Sequence, residues 1–126
     1  MPLVRIDVPT SITPERRRII GDAVYETLVD VLNVPEHDNF QIITSHDPDG
    51  LHIDSEYLGV DRSVDAFVIS VTLNAGRSVE LKKQFYAELV KRLTARGDIR
   101  PQDVFISLTE VSKENRSFGN GEAQYA

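Results

Sequence analysis

Tyr25-Glu26-Thr27-Leu28-Val29-Asp30-Val31-Leu32 is echoed later in the chain by Tyr86-Ala87-Glu88-Leu89-Val90-Lys91-Arg92-Leu93, with Tyr, Leu, Val and Leu at matching places. Both stretches space their apolar residues as one face of a helix does. The echo continues beyond each helix, where Asp38-Asn39-Phe40 is matched by Asp103-Val104-Phe105. The chain is therefore read as an internal repeat of two halves, about 1–50 and 60–111, each a strand, a helix and a strand. A parallel strand pair joined by a helix is a right-handed βαβ unit.

Outward from the repeat, the helix boundaries follow from capping chemistry. Thr13-Pro14-Glu15 places an N-cap, a proline at the first helical position and an acid in the first turn. Ile20, Val24, Leu28, Val31 and Leu32 continue the first helix, and Val34-Pro35 ends it because a residue before proline avoids α geometry. Ser78 caps the second helix, Val79, Phe85, Leu89 and Leu93 supply its inner face, and Gly97 closes it. Strands are predicted over Pro2 to Val8, Asp38 to His46, Val64 to Leu73 and Asp103 to Val111. In the first, Val4, Ile6 and Val8 share one face while Leu3, Arg5 and Asp7 share the other. Val64 to Leu73 is almost continuously apolar, the pattern of a strand buried on both faces. Asp47-Pro48-Asp49-Gly50 is a turn, and 51–62 is polar and irregular. Arg16-Arg17-Arg18 reads as a solvated helix face.

The fold class that results is α/β, with four strands in one sheet and two helices on one face, over a single domain of residues 1–126. The other sheet face is left bare, so an oligomer is expected. The polar tail, residues 112–126, cannot form a core of its own.

Composition narrows the function. Hydrophobic residues make up 40% and charged residues 27% of the 126, as in a globular protein. Cysteine is absent, which removes disulfides, thiolate nucleophiles and zinc–cysteine sites. A formal net charge of −6 argues against a nucleic-acid partner. No apolar run reaches the ~18 residues of a membrane span, and no leader is evident, so a cytoplasmic protein is expected. His37, His46 and His52 lack metal-ligand spacing. Asp47, Asp49 and Asp54 do not fit a calcium loop, because Gly50 comes too early. No metal site is expected.

Pro2 stands directly behind Met1. Removal of the methionine would turn its nitrogen from an amide into a free secondary amine. Such a group can act as general base, general acid or nucleophile, and burial or neighbouring charge tunes it.

Pro2-Leu3-Val4-Arg5-Ile6-Asp7, Phe40-Gln41-Ile42 with Ser45-His46-Asp47-Pro48, Ala75-Gly76-Arg77-Ser78, and Ser117-Phe118-Gly119 with Ala123-Gln124-Tyr125 occur in an order that resembles the tautomerase superfamily. The resemblance covers nearly the whole chain and is nearest to the malonate semialdehyde decarboxylase-like group. It implies a homotrimer, no cofactor, catalysis by the Pro2 amine, and a small carboxylate substrate. It also implies that Asp38 supports the amine and that Arg77 binds the substrate carboxylate. Arg116 and Phe118 are expected to line the substrate pocket. Two positions depart from the pattern: Ala75 stands where some decarboxylases have a second arginine, and Arg116 stands where they have a tryptophan. A carboxylate beside the amine is expected to outweigh partial burial and keep Pro2 cationic. The reaction expected is decarboxylation of a 3-oxo acid or attack on an unsaturated acid. The alternatives are keto–enol tautomerisation by a neutral Pro2, of the phenylpyruvate type, and a non-catalytic trimeric binding protein.

Overall fold

A computed structural model describes residues 1–126. Six main elements run along the chain: β1 (Leu3–Pro9), α1 (Pro14–Leu32), β2 (Phe40–His46), β3 (Phe67–Asn74), α2 (Val79–Gly97) and β4 (Val104–Val111). The sheet order is β2-β1-β3-β4. β1 runs parallel to β2 and β3 parallel to β4, while the two halves meet antiparallel along β1 and β3. This is the doubled βαβ arrangement that the repeat predicts.

Alternation assigns the faces. Val4, Ile6 and Val8 of β1 and Phe67, Ile69, Val71 and Leu73 of β3 join Ile20, Val24 and Leu28 of α1 and Phe85, Leu89 and Leu93 of α2 in one core. Burying one such side chain is worth about 1.5–3 kcal/mol. Both helices cover the same face. On the opposite face Leu3, Phe40, Ile42 and Phe105 are exposed.

The N-caps are as predicted. Thr13 Oγ1 accepts from Arg16 N–H and Ser78 Oγ from Leu81 N–H, each at 3.2 Å. α1 stops at Leu32, ahead of Val34-Pro35 as expected, with Asn33 as its cap, whereas α2 runs through Gly97 and is capped by Asp98; both caps are left-handed, at φ 57° and 52°. Gly97 is still helical and is needed for space, because a Cβ there would lie 3.1 Å from Ile99 Cδ1 and 3.3 Å from Ile19 Cγ2. Nor is the Arg16 side chain merely solvated. Its Nε donates to Gly97 O at 3.2 Å and its Nη2 to Asp98 O at 3.4 Å, so a residue of α1 closes the end of α2.

Two strand readings also change. Val64 is 88% exposed and lies within a turn in which Ala66 N–H donates to Ser63 O, so the strand begins only at Phe67. β3 is buried on one face and half-buried on the other, because only one sheet face carries helices. Within 51–62 the one regular piece is a 3-10 turn, Tyr57–Gly59.

Candidate active site

The ladder of β1 starts at Leu3, opposite Phe40 on one flank and Thr72 on the other. Pro2 lies buried just ahead of it. With Met1 in place the Pro2 nitrogen is a peptide nitrogen, and the titrating group here is the Met1 amine. It stands 3.7 Å from Asp38 Oδ2, the distance of an ion pair rather than a hydrogen bond.

Asp38 is positioned by a tight turn. Its N–H donates to Pro35 O at 3.2 Å, His37 takes φ 69°, and His37 N–H donates to Tyr25 Oη at 2.9 Å. Both carboxylate oxygens of Asp38 are buried and have no hydrogen-bond partner. Its counterpart in the repeat, Asp103, is fully engaged. Asp103 accepts from Ser63 N–H at 2.8 Å and Ser63 Oγ–H at 2.6 Å, with Arg100 Nη1 at 3.5 Å. One repeat carboxylate ties a loop down; the other is left open beside the chain's terminal amine.

Arg77 is half-buried in the connection between β3 and α2. Its Nε and Nη2 donate to Leu32 O, at 3.4 and 3.0 Å, and its Nη1 to Asn74 O at 3.0 Å. Leu32 ends α1, whose last turn has no basic residue, so the guanidinium supplies the charge that the carbonyl end of that helix favours. Three of the five N–H donors of an arginine are thereby used, and each terminal nitrogen keeps one. Burial lowers the Arg77 pKa from its ordinary value, with Glu110 opposing.

Arg116 reaches the same region from the tail. Its Nη2 donates to Thr72 O, and its buried Nη1 has no partner. Burial lowers its pKa too, with Asp38 opposing. Phe118 packs against Phe40 and Tyr125, with ring centroids 5.6 Å away in each case. Gln124 clasps this loop: its Oε1 accepts from Phe118 N–H and its Nε2 donates to Gly119 O, both at 2.9 Å. Two hollows flank the Phe40–Phe118 pair. One, of about 360 Å³, is bounded by Pro2, Leu3 and Arg116. The other, of about 350 Å³, is bounded by Met1, His37 and Asp38.

Burial is the main influence on the terminal amine and lowers its pKa below the ordinary 8.0. Asp38 opposes the shift, while Arg77 and Arg116 add to it. For the Met1 amine, then, the balance runs against the expectation that the carboxylate wins. The reason is first desolvation, which is larger than the pull of Asp38, and then the two guanidinium groups, which add to it.

Pro2, Asp38, Arg77, Arg116 and Phe118 are thus gathered at one end of the sheet. Phe40, Tyr125 and Gln124 complete the surround; they stood in the stretches that carried the resemblance, but no local pattern marked them as part of a site. His46 is elsewhere, at the end of β2 opposite Pro9 of β1, paired with Asp7 at 2.7 Å beside a separate cleft of about 390 Å³.

Residues 38–119 match a family model described as tautomerase enzyme, and residues 2–61 match a second of the same description. Two Bacillus subtilis (strain 168) proteins described as probable tautomerases, YusQ and YrdN, are each 32% identical to this chain. YusQ aligns over 98% of both chains, and YrdN over 99% of this chain and 96% of its own. Among solved structures, FG41 malonate semialdehyde decarboxylase inhibited by 3-bromopropiolate is 41% identical, with a TM-score of 0.91, over 98% of this chain and 93% of that one. A second malonate semialdehyde decarboxylase, described with decarboxylase and hydratase activities, is 31% identical with a TM-score of 0.90, over 98% and 95%. A fused 4-OT symmetric trimer shares the fold at 21% identity and a TM-score of 0.74, over 98% of this chain and 97% of that one. With a family model spanning most of its length and relatives above 30% identity along all of it, the chain belongs to the tautomerase superfamily.

Proposed function

We propose that, once Met1 is removed, the chain is a cofactor-independent lyase of the malonate semialdehyde decarboxylase kind, working on a small 3-oxo or unsaturated carboxylic acid through the Pro2 amine. The observation that carries this reading is the contrast between the two repeat carboxylates. A buried carboxylate without a partner is costly, and Asp103 shows how this fold satisfies one. Asp38 is kept open beside the amine, which suits a group that acts on a substrate or on the catalytic nitrogen.

In the reaction, the guanidinium of Arg77 holds the carboxylate and orients the bond to be broken. Protonated Pro2, supported by Asp38, donates a hydrogen bond to the 3-oxo oxygen. The bond between C1 and C2 breaks, its electron pair moves into an enolate whose oxygen is held by the Pro2 hydrogen bond, and carbon dioxide leaves. A proton then returns to C2, so malonate semialdehyde gives acetaldehyde and carbon dioxide. The identity of 41% to a malonate semialdehyde decarboxylase supports this choice.

Keto–enol tautomerisation is the second reading, and one observation favours it. The terminal amine is pushed toward its neutral form by burial and by two arginines, as a general base at neutral pH requires. The bare sheet face, with Phe40 46% and Phe105 51% exposed, supports assembly with further copies of the chain, for which the resemblance implies a homotrimer.

The test starts with the mass of the mature N-terminus, followed by assays on malonate semialdehyde and phenylenolpyruvate. A chain beginning at Pro2 that releases carbon dioxide is expected. Rapid ketonisation without carbon dioxide would replace the lyase with the tautomerase. Retention of Met1 in a fully active protein would refute both.

A further inference from the structure

The edge of β3 beyond the start of β1 carries two guanidinium groups. Ala75 N–H donates to Val111 O of β4 at 3.0 Å. Successive residues of a strand turn their backbone groups to opposite sides, so Thr72 and Asn74 turn theirs toward β1. The ladder between β1 and β3 ends at Leu3 and Thr72. At that point Arg116 Nη2 donates to the carbonyl of Thr72, and past it Arg77 Nη1 donates to the carbonyl of Asn74. These anchor carbonyls are two residues apart, about 7 Å along the strand. One carboxylate, with a hydrogen bond of about 2.8 Å to a guanidinium on either side, bridges such a gap.

Both groups retain donors for it. Arg77 keeps one N–H on each terminal nitrogen, and Arg116 Nη1 is buried without a partner. Asp38 lies close enough to Arg116 to act on its charge and has two open oxygens of its own. It would repel a second anion on the ligand.

We propose that Arg77 and Arg116 form one carboxylate clamp, a guanidinium to each oxygen, and that Asp38 restricts the site to small monocarboxylates against dicarboxylates. This deepens the lyase reading by fixing its substrate class. It also makes the tail part of the binding site. Arg116 belongs to the same segment as Phe118, which is packed on Phe40 and clasped by Gln124. Substrate binding and tail docking are therefore linked.

The experiment is an NMR titration of the Met1-free protein with propionate and with succinate, using wild type, Arg77→Gln, Arg116→Gln and the double variant. Propionate is not turned over, so the clamp is tested apart from catalysis. Each single substitution is expected to weaken propionate by about tenfold or more, and the double variant by less than the product of the two. Succinate should bind more weakly than propionate to wild type. Unchanged propionate affinity in Arg116→Gln, with the Phe118 and Tyr125 ring signals undisturbed, would overturn the proposal. So would tighter succinate binding that alone depends on Arg116, since the two arginines would then hold separate anions. If Arg116→Gln undocks the tail, Arg116→Lys replaces it. Lysine keeps the charge and can reach Thr72 O, so a loss of propionate affinity smaller than that of Arg77→Gln is expected, and no loss at all refutes the clamp. Intact two-arginine binding without carbon dioxide release would reject the lyase reading and leave the clamp standing.

Discussion

Replacing Arg77 by alanine should cost stability as well as ligand affinity. A loop position suggests a harmless truncation, but the guanidinium makes three hydrogen bonds to main-chain carbonyls, two of them to Leu32 O at the end of α1. Hydrogen bonds from charged donors contribute about 1.5–3 kcal/mol net when shielded. Arg77 is only half-buried and water can replace part of what is lost, so a total of about 2–4 kcal/mol is expected. A chain of 126 residues has about 6–19 kcal/mol of stability in all. The variant should therefore fold, but melt roughly 6–16 °C lower, from a few degrees per kcal/mol at this size. Calorimetry and urea titration of wild type, Arg77→Ala and Arg77→Lys provide the measurement, with kcat/KM on the same samples. Lysine should recover part of the stability, since a single ammonium can meet one carbonyl but not the forked pair. An alanine variant that melts within about 2 °C of wild type would show that the carbonyl bonds contribute nothing. The reasoning on the α1 terminus would then fall.

Two further outcomes can be checked on stability alone. In a chain that retains Met1, the terminal amine is harder to protonate folded than unfolded. The unfolded chain then binds more protons below the ordinary value of 8.0, so the urea midpoint should rise with pH toward about 8 and level off above it. An Nα-acetylated chain lacks this rise, and an identical pH profile for both forms would refute the assignment. Asp103→Ala leaves Ser63 N–H and Oγ–H without their acceptor and should lower stability by about 2–4 kcal/mol, read by urea denaturation. A loss below about 0.5 kcal/mol would mean that water replaces the carboxylate.

The repeat made the fold legible because its two signals are local: helical spacing after a capping residue, and alternation in β1. Where the reading slipped, the deciding contact was distant in sequence. Val64 looked like strand from its neighbours, yet the chain turns at Ser63–Ala66, beside an anchor supplied by Asp103. Gly97 looked like a cap by type, yet its smallness answers to Ile19 on the other helix. The site followed the same division. Pro2, Asp38 and Arg77 were marked by the stretches that contain them. No pattern in the sequence joins Gln124 to Phe118, or shows that Arg116 reaches Thr72, since each depends on how the tail lies over the sheet.

Arg16, in the first turn of α1, closes the end of α2, and Arg77, just ahead of α2, closes the end of α1. Each half of the repeat thus lends the other a cation at its helix end: α1 has no basic residue in its last turn, and the Arg96 of α2 is engaged with Glu26 of α1. A half produced alone would lose the carbonyl bonds that the other half's arginine makes at its helix end. Descent from a shorter, self-pairing ancestor would then require two copies to exchange arginines across their join, so that duplication and fusion preserved a bond that had first been made between chains. The same exchange makes the two halves a natural pair for fragment complementation: separately synthesised, they should remain largely unstructured until mixed, and the regained helix signal should depend on both arginines.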